Sequence, residues 1–294
     1  MREVPCYVGA VFRPPSEARS LIFQVTFGCS SDTCTFCRVY AGKPFAKRSE
    51  GEVLEEFERA ARIYPGTRRI FLADGDAMVL SRRILVGYLS RLRGLFPRLE
   101  RVTAYATPQN IKRKKLDDLR AIREAGLDMV YVGMESGSRE ILRRVRKGVE
   151  PEEIVESLVK ARQAGLATSA TVILGLGGPD LSEEHARETG RALTASEPDY
   201  VGALTLMLAE HNADFPDCMG PGWRELEIGE VLREARLMIE HIGCACTFRA
   251  NHASNWLALK GRLPGDRPRL LAFIDEVLAD PDSPHLRPDF YRAL

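Results

Sequence analysis

The 294 residues are 45% apolar and 28% charged, with a formal net charge of +1. This is the composition of a globular chain able to bury a substantial core, and it argues against disorder and against a bulk basic field for nucleic acid. No run of about 18 apolar residues suggests a membrane span. MREVPCYVGAVFRPP at the amino terminus has no signal-peptide core, and the seven cysteines are odd in number and unevenly clustered, so a cytoplasmic, reducing location is expected.

Residues 1–20 read as a lead-in, with a short strand at Tyr7 to Phe12 broken by Arg13-Pro14-Pro15-Ser16. An apolar strand at Leu21 to Val25 then delivers the stretch Phe27 to Tyr40, which holds three of the seven cysteines. A pattern of helix and strand follows. Ser49 to Tyr64 repeats apolar residues on one helical face and closes at Pro65-Gly66; Arg69 to Leu72 is the second strand. Ile84, Leu85, Tyr88, Leu89, Leu92 and Phe96 mark the next helix, stopped by Pro97, and Arg101 to Ala106 the third strand. A helix from about Lys112 to Ala125 leads to a strand at Met129 to Val132. Glu124-Ala125-Gly126-Leu127 and Gln163-Ala164-Gly165-Leu166 are matching helix stops, since glycine accepts the left-handed conformation there. Strands at Thr168 to Leu174 and Val201 to Leu208 flank a helix from Ser182 to Ala195, and a last helix is expected from Ile228 to Ile239. Strands alternating with helices predict an α/β fold with a parallel sheet, either open and doubly wound or a partial barrel.

Cys29, Cys34 and Cys37 are separated by four and then two residues. Three thiolates this close can hold three irons of a 4Fe-4S cluster and leave the fourth iron open to a non-protein ligand. The same spacing also suits a two-iron ferredoxin cluster, or three sides of a zinc site, each of which needs a further ligand. Every strand end that follows carries glycine or polar residues: Asp74-Gly75-Asp76, Thr107-Pro108-Gln109-Asn110, Glu135-Ser136-Gly137, Gly175-Leu176-Gly177-Gly178 and Glu210-His211-Asn212. In parallel α/β folds that rim is where ligands bind.

Over about residues 20 to 210 these motifs resemble the radical S-adenosylmethionine (radical SAM) superfamily, although that family's usual triad has three, not four, residues in the first gap. The resemblance implies a partial (β/α)6 TIM-like barrel over 21–210, with a C-terminal helical extension over 211–294. It implies Cys29, Cys34 and Cys37 as ligands of a 4Fe-4S cluster, with Phe36 at the family's aromatic position. Asp74, Gly75 and Asp76 stand where the family holds the amino group of S-adenosylmethionine, Glu135 and Ser136 where it contacts ribose, and Ile173 and Gly175 where it contacts adenine. The implied chemistry is reductive cleavage of S-adenosylmethionine to methionine and a 5′-deoxyadenosyl radical, which takes hydrogen from a substrate, here expected to be a small molecule. A flavodoxin or ferredoxin reductant is the implied partner. Neither membrane nor nucleic acid is expected, and no catalytic acid or base is assigned. The competing readings are a non-catalytic iron-sulfur electron carrier and a radical SAM enzyme acting on RNA or protein.

Past residue 208 the resemblance thins. Cys218, Cys244 and Cys246 have poor spacing for a second cluster and read as small buried residues. Arg249, Asn251, His252 and Asn255 crowd hydrogen-bonding groups into few positions, either for a polar substrate or to plug the barrel. The basic runs Lys112-Arg113-Lys114-Lys115 and Arg143-Arg144-Val145-Arg146-Lys147 read as solvated helix ends.

Overall fold

The computed structural model describes residues 4–292 apart from 38, 41, 209–211, 213 and 281. The chain forms two compact units, Met1–Asp32 with Val39–Val132 and Lys160–Thr168, and Thr33–Arg38 with Gly133–Val159 and Ser169–Leu294.

In the first unit, β1 (Leu21–Gln24) precedes β2 (Thr26–Phe27) and β3 (Ala46–Lys47), a short antiparallel ladder that ties together the two ends of the loop between them. Next come α1 (Glu50–Ile63), β4 (Arg69–Ala73), α2 (Arg82–Leu95), β5 (Arg101–Ala106), α3 (Pro108–Arg113), α4 (Leu116–Ala125) and β6 (Met129–Glu135). The apolar stripe of α1 buries Val53, Phe57 and Ala60, and the Phe57 ring meets Phe23 and Tyr88 edge-on at 4.7 and 5.5 Å. Ser81 caps α2 by accepting the Ile84 N–H, and Gly126, at φ 119°, ends α4.

Two expectations change here. Tyr7 to Phe12 form no strand; Val8 exchanges both backbone hydrogen bonds with the Gln24 side chain, which does locally what a neighbouring strand would. The helix expected from Lys112 to Ala125 is two helices, because Lys114 and Lys115 are extended. The Lys114 ammonium donates to the Leu80 carbonyl at 2.6 Å, and burial pulls its pKa below the usual lysine value.

The chain continues with α5 (Arg139–Arg144), α6 (Pro151–Gln163), β7 (Ala167–Leu174), α7 (Gly178–Ser196), β8 (Tyr200–Thr205), α8 (Phe215–Met219), α9 (Ile228–His241), β9 (Cys246–Ala250), β10 (Leu259–Leu263) and α10 (Arg267–Ala279). In the second unit α9 packs on α7, where a Cβ at Gly190 would stand 2.5 Å from the His241 Cβ. The sheet order is β1-β4-β5-β6-β7-β8-β9-β10. Pairing is parallel for β1 with β4, β4 with β5, β5 with β6, β7 with β8 and β8 with β9, and antiparallel only for the final hairpin of β9 with β10 among the described pairs. The expected C-terminal extension therefore carries two strands that join the sheet as well as helices. β8 ends at Thr205, short of the expected Leu208. Among the described residues no helix is long and apolar enough to cross a membrane.

Candidate cofactor site

In the first unit the loop that carries Cys29 is held by the turn after β4. Gly28 sits at φ 65°, where a Cβ would lie 2.5 Å from the Lys43 carbonyl oxygen, so only glycine suits this exit from β2. Its N–H donates to Asp74 at 3.1 Å and its carbonyl accepts from the Gly75 N–H at 3.1 Å. Asp74 is fully buried, accepts both Gln24 Nε2 contacts and pairs with Lys43 at 2.5 Å. A Cβ on Gly75 would stand 2.8 Å from both the Cys29 Cβ and the Tyr40 ring. The Asp74-Gly75-Asp76 turn thus lies directly against Cys29.

Asp76 is fully buried as well. Its carboxylate accepts from Ser30 Oγ at 2.6 Å, Thr107 Oγ1 at 2.9 Å, Asn110 Nδ2 at 2.5 Å and the N–H groups of Met78 and Thr107 at 3.0 and 3.3 Å. Burial raises its pKa, and the hydrogen bonds from Ser30, Asn110 and Thr107 oppose that rise. Through these bonds Asp76 holds the turn and Ser30 in place.

In the second unit Cys34 is buried and Cys37 exposed, and the Cys37 N–H donates to the Cys34 carbonyl at 3.3 Å. The segment is fastened by the Thr35 N–H to the Val145 carbonyl at 3.0 Å, Thr33 Oγ1 to the Arg146 carbonyl at 2.9 Å, and Asn212 Nδ2 to the Thr35 carbonyl at 3.0 Å. Phe36 packs on a core of Ile141, Val145, Leu176, Leu206, Phe215 and Met219, and Ile173 packs on that same core. Two residues matched to opposite ends of the motif set therefore share one apolar patch.

Glu135 closes β6 at φ 63° and pairs with Lys147 at 2.7 Å, both nearly buried. A Cβ on Gly133 would come within 2.1 Å of the Glu135 carboxylate and 3.0 Å of the Lys147 ammonium, so the pair occupies the space glycine leaves. Burial opposes charge on Lys147, but Glu135 and the thiols of Cys34 and Cys37 outweigh it and raise the pKa. The expected solvated helix end is corrected at this residue. Arg143 and Arg144 do pair with Glu140 at 2.8 and 2.7 Å, but Lys147 turns inward.

Ser136 is fully buried; its hydroxyl accepts from the Ser138 N–H at 2.9 Å and lies 2.8 Å from His185 Nδ1. Ser138 caps α5 by accepting from the Ile141 N–H. His185 Nε2 contacts the Ile173 carbonyl at 3.0 Å, and the Gly175 N–H donates to buried Glu234 at 2.7 Å. Burial raises the Glu234 pKa against the opposing His185, Ser182 and Gly175. This set fixes the ends of β6 and β7 by filling their backbone and hydroxyl valences. Ser136 thereby buttresses the rim. Lys147, His185 and Glu234 were missed from sequence because each lies 10 or more residues from its partner and no local pattern announces it.

None of the seven cysteines is in a disulfide. Cys244 and Cys246 are buried, and the hydrogen bond from Cys244, followed by burial, raises the Cys246 pKa. Asn255 is buried between Thr205 and the Ala203 carbonyl, and Arg287 donates to the carbonyls of His252, Ala253 and Asn255, so much of that tail braces β8. Glu210 and His211 lie outside the described residues. Among the described residues no three His, Cys, Asp or Glu side chains are gathered closely enough to hold a metal ion. The donor chemistry nevertheless suits an iron-sulfur cluster: three soft thiols within one nine-residue stretch, a glycine turn packed on one of them and a cation beside the other two.

The family model described as the radical SAM superfamily matches residues 23–193, more than half of the chain. The chain belongs to the radical SAM superfamily. Members of this superfamily use a 4Fe-4S cluster and S-adenosylmethionine. It is 26% identical over 182 residues to an uncharacterized methyltransferase of Pyrococcus horikoshii, a match covering 61% of this chain and 38% of that one. It is 27% identical over 180 residues to the tRNA-2-methylthio-N(6)-dimethylallyladenosine synthase of Clavibacter sepedonicus, covering 59% and 33%. The chain thus spans about a third of the length of these curated relatives. Among solved structures, the radical SAM coproporphyrinogen III oxidase of Escherichia coli superposes with a TM-score of 0.59 at 18% identity, covering 77% of this chain and 54% of that one. That likeness establishes the α/β fold of partial-barrel radical SAM enzymes.

Proposed function

We propose that this radical SAM enzyme cleaves S-adenosylmethionine reductively and directs the resulting radical to hydrogen abstraction from a small-molecule substrate. When bound, the cluster supplies the electron that breaks the sulfonium carbon-sulfur bond, giving methionine and a 5′-deoxyadenosyl radical. The observation that carries the reading is the family match, which encloses Cys29, Cys34 and Cys37 together with every rim motif up to Gly175.

In this reading the three cysteines ligate the cluster. Backbone groups of the Gly75 turn face the cofactor's methionine end, held there by the inward-facing Asp74 and Asp76. Glu135, fixed by Lys147, meets the ribose, while Phe36, Ile173 and Gly175 offer an apolar, side-chain-poor surface to the adenine. A flavodoxin or ferredoxin of low potential delivers the electron in a reducing cytoplasm. A relative named as a tRNA-modifying synthase makes RNA the alternative substrate class.

The ligand assignment is tested by anaerobic reconstitution of the variant Cys29→Ala/Cys34→Ala/Cys37→Ala. It is expected to hold no iron or sulfide; retention of both would assign the cluster to other residues.

A further inference from the structure

In the second unit the face of the strands that bears Ile173 carries two cations, Arg249 and Lys260, with no carboxylate paired to either among the described residues. Thr171 lies two residues before Ile173 on β7 and so points to the same side. It is in register with Gly202 on β8, Gly202 with Arg249 on β9, and Arg249 with Lys260 on β10. These four residues form one row across four strands: a hydroxyl, a gap and two cations. Along the strands the residues between them, Val172, Ala203, Phe248 and Ala250, are buried on the opposite side, whereas Thr171, Gly202 and Arg249 are half-exposed and Lys260 is exposed.

Two features of the row call for a ligand. Like charges directly opposite each other on neighbouring strands repel. Yet among the described residues neither Arg249 nor Lys260 has a side-chain hydrogen-bond or ion-pair partner, and the guanidinium is steadied by the Tyr200 ring at 5.2 Å. A lysine on an edge strand commonly serves to block pairing with another sheet. Arg249 is one strand further in, where that role does not apply. Beside it, a Cβ built on Gly202 meets nothing within 4 Å, so a glycine in mid-strand leaves a hollow next to an uncompensated guanidinium.

We propose that this row is the substrate's anion site: Arg249, with Lys260 and the Thr171 hydroxyl, receives a carboxylate or phosphate group that enters over Gly202. A guanidinium presents a planar pair of donors to either oxyanion, and relief of the repulsion between the two cations adds to the attraction. The proposal rests on the reading above and narrows it to an anionic substrate. The group to be modified then lies toward the carboxyl end of β7, on the side of Ile173.

The test titrates succinate and inorganic pyrophosphate, as the carboxylate and phosphate arms, into the anaerobically reconstituted chain by calorimetry. Saturable binding of one of them is expected, weakened at least about tenfold in Arg249→Gln and partly restored in Arg249→Lys. Gly202→Leu, which fills the hollow but keeps the cation, is expected to weaken binding as well; urea midpoints check that each variant is folded. No saturable binding to the native chain, equal affinity in Arg249→Gln, or indifference to Gly202→Leu would each overturn the site. Formation of 5′-deoxyadenosine by the native chain is measured separately. Its absence would remove the proposed activity whatever the anion titration gives, and its presence beside a failed titration would remove the anion site alone.

Discussion

Glu135 and Lys147 condense the problem to two side chains. Each is about one-tenth exposed, and each offsets the other's charge in a poorly solvated place. Removing one partner leaves the other buried and unpaired, which costs about 3 to 5 kcal/mol, whereas replacing both with apolar groups is far closer to neutral. Lys147→Met and Glu135→Leu are therefore expected to lower the urea midpoint sharply, and the double variant to recover most of the loss. Additive losses would show that the pair does not act as a unit. His252 supplies a pH handle at the same scale. Burial, and then Arg287, depress its pKa below 6.5, and its Nδ1 accepts the Ser254 N–H. As pH falls through 6.5 the unfolded chain takes up the proton before the folded chain does. Stability is complete above that value and declines as the pH drops toward the depressed folded value. Unfolding at pH 7.5 and 5.5 should show this decline, and His252→Gln should reduce it; an unchanged slope would mean the histidine does not titrate this way.

At the scale of elements, the link that matters is the turn after β4 pressed on the cysteine loop. Gly75→Ala places a methyl 2.8 Å from the Cys29 Cβ and the Tyr40 ring, and overpacking of this kind costs about 1 to 3 kcal/mol. The variant is expected to fold and to incorporate less iron on reconstitution. Full incorporation would show that the loop yields freely. This contact was invisible in sequence because Cys29 and Gly75 are 46 residues apart. What sequence did reveal were features with a local cause: the apolar period of α1, the glycine stop at Gly126 and the alternation of strand with helix. The break between α3 and α4 escaped because Lys114 leaves the helix for a carbonyl on another element, Leu80. β9 and β10 escaped because five-residue strands alternating apolar and polar residues are a weak signal away from their sheet.

For the whole molecule, the rim reading depended on family resemblance more than on periodicity. The motifs marked strand ends, and the structure shows what several of their side chains are bonded to. Asp74 and Asp76 are hydrogen-bonded within the first unit and Ser136 within the second, each fastening its own strand end. The aspartates and the serine could not be sorted from Glu135 by residue type, because a buried brace and a ligand contact use the same oxygen atoms. The most direct measurement of the central claim is chromatography and mass spectrometry of an anaerobic mixture of reconstituted chain, dithionite and S-adenosylmethionine. The account predicts 5′-deoxyadenosine and methionine in equal amounts, dependent on reductant and lost in Cys34→Ala. A fully loaded cluster that takes up the electron and leaves S-adenosylmethionine intact would contradict it.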